Sequence, residues 1–163
     1  GVGKLVEMAV KMAENGESAE AIAKKITEER ENICVIAMLN TLEYLKRGGR
    51  ISKAAAFAGG ILSIKPVICL KDGKIEILGK ARGSKQGNNL LVKEIEASGG
   101  VDFNKPLLLG FTGLTDALLN KYIEDSAFLW QDHINELRSV LVGSVIGTHI
   151  GPGGIAVAFF KKR

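Results

Sequence analysis

The chain has 163 residues, 46% of them hydrophobic and 25% charged, with a formal net charge of +4. This is an ordinary globular balance with enough chain for a sizeable core, which excludes a disordered segment and points to one domain over residues 1–163. Only 6% of residues are aromatic and the positive excess is small. Stacking platforms and a strong basic footprint are both missing, so no nucleic-acid partner is expected.

Residues 4–15 are predicted to form an amphipathic helix, with Leu5, Met8, Ala9 and Met12 on one face and Gly16 at its end. Ser18 suits the cap of a second helix that turns Ala21, Ile22 and Ile26 inward. Residues 34–39 form a short apolar run, predicted as a buried strand. Cys34 and Cys69 each lie inside such a run and read as buried free thiols. That usage fits a reducing compartment, and a cytoplasmic setting is expected.

Residues 41–66 organise the rest. Leu42 and Leu45 share a helical face, Lys46 and Arg47 sit in the last turn, and Gly48-Gly49 ends the helix. Ser52 is predicted to cap a small-residue helix over 53–57, which Gly59-Gly60 breaks. The apolar run 61–64 leads through Lys65-Pro66 into a strand over 67–70. Two glycine pairs around an alanine-rich helix suggest a backbone that a ligand or another chain approaches closely.

Asp72-Gly73 is a two-residue turn signal, so 75–78 is predicted to pair back as a hairpin and 79–83 to leave the sheet. A helix is expected over 84–97 with Leu90, Leu91 and Ile95 inward, then a strand over 107–110. One helix is expected over 115–129, with Thr115 as its cap. Residues 139–160 carry no formal charge and are long enough to cross a bilayer. Their histidine, hydroxyls and Gly-Pro-Gly-Gly turn argue instead for two buried strands, 140–145 and 155–160, so no stable membrane insertion is expected. The fold class implied is α/β of the α+β type: a mixed, partly antiparallel sheet with helices mainly on one face.

His149 is the sharpest candidate for chemistry. It lies between glycines in Gly147-Thr148-His149-Ile150-Gly151-Pro152-Gly153-Gly154, at the predicted end of a strand. An imidazole there can meet a carboxyl or phosphate group, or be satisfied by the backbone of the turn; sequence leaves both open. Arg82 stands in a glycine-containing stretch before a helix, where an anion would meet the guanidinium and free backbone N–H groups. His133 reads as a surface residue, and no spacing suggests a metal. No serine lies in a nucleophile elbow. The opening Gly1-Val2-Gly3-Lys4 mimics the end of a phosphate loop, but Leu5 stands where Ser or Thr is required. No cofactor is expected.

Three stretches carry a resemblance. They are Leu42-Glu43-Tyr44-Leu45-Lys46-Arg47-Gly48-Gly49-Arg50-Ile51-Ser52, then Leu62-Ser63-Ile64-Lys65-Pro66-Val67 with Asp72-Gly73 and Lys80-Ala81-Arg82, and the Gly147–Gly154 stretch. In order and spacing they resemble the DegV family of bacterial fatty-acid-binding proteins. Many of these act as the lipid-presenting subunit of a two-part fatty acid kinase. The resemblance implies a long-chain fatty acid as ligand and a separate ATP-dependent kinase subunit as partner. It implies His149, with Thr148 beside it, in the network at the carboxyl end, and Arg82 facing the kinase subunit or the phosphate. Phe57, Ile61, Leu62 and Ile64 are the candidates for the apolar wall. The family's N-terminal α/β domain, which supplies two further hydroxyls, has no match here, so the resemblance implies the C-terminal domain with a helical lead-in. Such a fragment is expected to hold lipid weakly and to form a homo-oligomer. The alternative is a phosphotransferase or hydrolase using His149 and Arg82, and a third reading is an interaction module without a ligand.

Overall fold

The computed structural model describes residues 1–51 and 64–162. Two helices, α1 (Val2–Glu14) and α2 (Ala19–Glu29), precede the sheet. Ser18 caps α2 as expected, its Oγ accepting from the Ala21 N–H at 3.2 Å. Strand β1 (Ile33–Met38) follows, then helix α3 (Glu43–Arg47). Gly49 ends α3 with φ at 66°, a conformation that costs glycine little.

Strands β2 (Ile64–Lys71) and β3 (Lys74–Arg82) form the predicted hairpin around Asp72-Gly73. Both turn residues have positive φ, 51° and 71°, as a tight turn matched to strand twist requires. The hairpin is longer than expected. Gly79 does not release the chain; β3 continues to Arg82, which pairs with Ile64. A Cβ on Gly79 would press on Leu90 of α4 (Gly83–Ala97), so this glycine lets helix and strand approach closely.

Next come β4 (Leu108–Phe111), α5 (Ala117–Asp125), α6 (Ala127–Trp130), a 3-10 turn (Gln131–Glu136), β5 (Ser139–Leu141), α7 (Ser144–Ile150) and β6 (Ile155–Phe160). The strand order is β3-β2-β1-β6-β4-β5, antiparallel except for the β4–β5 pair. This is the mixed sheet the sequence predicted.

Side chains alternate along each strand, so the sheet carries two apolar layers. On one face Met38, Val157, Phe159 and Leu109 pack against Leu91 and Ile95 of α4 and Leu119 and Tyr122 of α5. This layer also holds Trp130, the bulkiest of the completely buried side chains. At about 1.5–3 kcal/mol for each large side chain buried, it carries most of the hydrophobic stabilisation. On the other face Ala37, Leu39 and Ile68 meet Leu45 of α3 and Ile150 of α7. Helices α4 and α5 thus lie on one face, and the short α3 and α7 flank the second.

Two expectations fail. The helix predicted over 115–129 breaks at Ser126. Its Oγ donates to the Tyr122 carbonyl at 2.5 Å and accepts from Trp130 Nε1 at 2.9 Å, and the chain restarts as α6. The buried strand predicted over 140–145 is instead the exposed three-residue edge strand β5, followed by α7. Among the described residues no helix is long and apolar enough to cross a membrane.

Candidate functional site

At one end of the sheet, β4 stops at Phe111, β1 at Met38 and β3 at Arg82, while β6 begins at Ile155. The Gly151–Gly154 turn sits in that row of strand ends, and His149 lies just before it. The sequence placed His149 in a loop; it lies in the last turn of α7, whose N-cap is Gly143. Gly151 ends the helix with φ at 75°, and its N–H donates to Gly147 O at 2.7 Å.

Helices α3 and α7 interlock. A Cβ on Gly48 would collide with the His149 imidazole, and a Cβ on Gly151 would collide with the Tyr44 ring. Each helix therefore seats its ring on the other's glycine. The Gly48-Gly49 pair, expected to be approached by a ligand or another chain, is instead met at Gly48 by this imidazole of the same chain.

The interlock decides what His149 can do. Its Nδ1 is buried and has no hydrogen-bond partner among the described residues. Among the described residues a proton there would find no acceptor, which favours the tautomer carrying the proton on Nε2. The ring then offers one N–H donor to a ligand oxygen. Thr148 beside it is exposed, and its Oγ1 donates to Val145 O at 2.9 Å. The lone pairs of that hydroxyl stay open, but its proton is already used within the helix.

The turn after His149 is fastened from below by Thr112, the residue following β4. Thr112 is buried, and its Oγ1 donates to Gly151 O at 2.6 Å and accepts from Gly154 N at 2.8 Å. Asn40, just past β1, packs near Gly153 and accepts from Lys65 Nζ at 3.0 Å. Burial lowers the Lys65 pKa from its ordinary value. Neither Thr112 nor Asn40 stands out in the sequence. A hydroxyl closing the apolar run Leu107-Leu108-Leu109-Gly110-Phe111-Thr112 is the one signal that could have marked Thr112.

The second apolar layer ends at this corner. One cross-strand row runs Ile77, Ile68, Ala37, Ala156, Gly110 across β3, β2, β1, β6 and β4. Its centre is built of small residues, and the layer is closed at one end by Ile150, the residue after His149. Ile64, a wall candidate, is half-buried at the start of β2. Phe57, Ile61 and Leu62 lie outside the described residues.

Arg82 is at the same end of the sheet but not at His149. It is exposed, ends edge strand β3 and precedes α4; its backbone N–H donates to Gln86 Oε1 at 2.9 Å. The turn after His149 leads into β6, three strand positions from β3, roughly 14 Å at ordinary strand spacing. Among the described residues no hydrogen bond, ion pair or shared cavity joins the two. His133 is half-buried rather than exposed, stacked on Phe103 with ring centroids 4.3 Å apart. It borders an open cavity of about 790 Å³ with Phe128, Asp132 and Lys162. That cavity lies at the far end of β6, and with Glu96 and Asp102 also on its walls it is too polar to house an alkyl chain. Among the described residues no three potential metal ligands cluster.

The sequence model of the family described as "Uncharacterised protein, DegV family" matches residues 1–162. A DegV domain-containing protein of Caldanaerobacter subterraneus is 30% identical over 99% of this chain, which spans 57% of that protein's length. The solved structure of a DegV family protein from Thermus thermophilus, described by its fatty acid binding, is 31% identical with a TM-score of 0.81, covering 99% of this chain and 57% of that one. The fatty acid kinase B3 protein of Streptococcus pneumoniae, solved loaded with linoleic acid, shares the fold with a TM-score of 0.82 at 21% identity, over 97% of this chain and 55% of that one. Fold, motifs and these matches agree, and the chain belongs to the DegV family.

Proposed function

We propose that this chain binds a long-chain fatty acid and presents its carboxylate to a separate ATP-dependent kinase subunit for phosphorylation. The observation that carries this reading is the second apolar layer of the sheet, small at its centre and ending at the helix that holds His149. An alkyl chain needs a dry surface, and its head needs a few placed polar groups. Each enclosed methylene contributes about 0.8 kcal/mol, so even a partly covered tail of eighteen carbons, roughly, supplies most of the binding. His149 Nε2–H donates to the carboxylate, with the Thr148 hydroxyl beside it. The exposed Arg82 faces the kinase subunit or the phosphoryl group rather than the tail. The separation of Arg82 from His149 favours this division of roles over a phosphotransferase or hydrolase that uses both residues on one substrate. The Thermus thermophilus and Streptococcus pneumoniae proteins, both tied to fatty acids, support the ligand, and the kinase name of the second supports the partner.

The test compares octadecanoic acid with its methyl ester. The acid is expected to bind more tightly and to shift the ring resonances of His149 while leaving His133 unchanged. A hydrogen bond to a charged group contributes roughly 1.5–3 kcal/mol, so His149→Phe should lower affinity for the acid about tenfold to a hundredfold and leave the ester alone. Equal binding of acid and ester to the unsubstituted chain, or no binding of either, defeats the proposal.

A further inference from the structure

We infer that Thr112 is a positioning residue for His149. The inference rests on the reading of His149 as the carboxylate-facing donor. The Gly151–Gly154 turn is tied to the end of β4 by five hydrogen bonds, and they are not equivalent. Two are between backbones: Gly153 N–H donates to Thr112 O, and Thr112 N–H donates to Gly154 O, both at 2.9 Å. These hold the far half of the turn whatever side chain stands at 112. The others belong to the hydroxyl, which donates to Gly151 O at 2.6 Å, with Gly154 O a longer second acceptor at 3.4 Å, and accepts from Gly154 N–H. Only the hydroxyl reaches Gly151. Gly151 in turn closes the last turn of α7 through its N–H to Gly147 O, and His149 lies inside that turn.

The path from Thr112 to the imidazole is therefore two hydrogen bonds and one helical turn. The imidazole has little freedom of its own, because Gly48 fits against it and the Tyr44 ring fits against Gly151. A change in where Gly151 O is held moves both fits. Valine has the shape of threonine but leaves Gly151 O and Gly154 N–H buried without the hydroxyl. Serine keeps the hydroxyl and loses a methyl group.

The chain has two histidines, so ring-nitrogen NMR reads both in one spectrum. Thr112→Val is expected to shift the His149 ring signals and to lower the preference for octadecanoic acid over its methyl ester about tenfold, while Thr112→Ser behaves as the unsubstituted chain. His133, stacked on Phe103 at the other end of the sheet, reports that the fold is intact and should not move. If Thr112→Val does not fold, Thr112→Ala is read the same way. The unsubstituted chain offers a further check: the Gly154 amide must exchange with solvent at least about a hundredfold more slowly than a free amide. Wild-type His149 signals in a folded Thr112→Val, failure of Thr112→Ser to keep them, or a freely exchanging Gly154 amide each overturns the inference. None of these readouts needs a bound ligand. A chain that shows them yet does not distinguish acid from ester contradicts the proposed ligand role of His149, not the positioning by Thr112.

Discussion

Gly48 and Gly49 are neighbours with opposite reasons for being glycine. Nothing lies within 4 Å of a Cβ built on Gly49, but its φ of 66° strains any other residue. Gly48 has an ordinary φ, and there the imidazole of His149 fills the space. Gly49→Ala is expected to cost about 1 kcal/mol, read by urea denaturation, with His149 signals unchanged. Gly48→Ala is expected to cost about 1–3 kcal/mol and to displace His149 in the same NMR spectrum. Identical His149 signals in the two variants would disprove the interlock. The sequence marks this glycine pair as a place of close approach but points to a ligand or another chain, not to a side chain of its own. His149 lies far along the chain, and only the helix that carries it brings the ring to Gly48.

Among the elements, those with strong local rules were legible. The hairpin follows from Asp72-Gly73, α2 from Ser18, and α4 from the spacing of Leu91 and Ile95. Helix α7 was not, because Val145, Ile146 and Gly147 in Ser144–Ile150 favour a strand or loop by propensity. Packing of Ile150 and His149 against α3 outweighs that preference. The same limit hid the break at Ser126, where a local hydroxyl bond competes with the helix ladder.

Elements are also joined by charge. Glu29, at the end of α2, is completely buried. Burial opposes its charged form, but hydrogen bonds from Lys105, Lys25 and Asn32 outweigh it and hold the carboxyl at about 2. This pKa lies below the ordinary value, so the stabilisation is complete above about pH 4.5 and is lost as pH falls toward 2. The shift corresponds to about 3 kcal/mol. Urea denaturation of the unsubstituted chain and of Lys105→Met should show a wide stability gap at pH 7 that narrows below pH 4.5. A gap that is constant down to pH 3 would exclude this linkage. Arg82, between β3 and α4, has no ion pair or side-chain hydrogen bond among the described residues. Arg82→Ala should leave folding and fatty acid content unchanged and impair phosphorylation by the kinase subunit. Lys should restore little if the contact is bidentate. An emptied lipid site in Arg82→Ala would make Arg82 a ligand residue instead.

For the whole molecule, exposed apolar side chains recur on α1, at Val2, Val6 and Val10, and again around β5 and α7. Leu114, Leu141, Val145 and Ile146 are all more than half exposed, and they belong to β5, α7 and the loop beyond β4. An apolar patch of this kind rarely stays bare. The chain is therefore expected to associate in a concentration-dependent way and to retain fatty acid weakly by itself. Native mass spectrometry decides: a monomer carrying one tightly held fatty acid would show a complete binding site in this chain. Topology explains why the sequence did not reveal the patch. The stretch 139–160 reads as uniformly buried until β5 proves to be an edge strand and α7 a surface helix.

The reciprocal fit of two rings on two glycines also constrains how this corner of the protein can vary. A larger residue at 48 is accommodated best with a smaller one than histidine at 149, whereas the φ of 75° at Gly151 favours glycine there whatever stands at 44. Any drift that preserves the imidazole must freeze a glycine in a distant helix. His149 thus constrains the sequence of α3, and substitutions at 48 and 149 are expected to be accepted best as a pair.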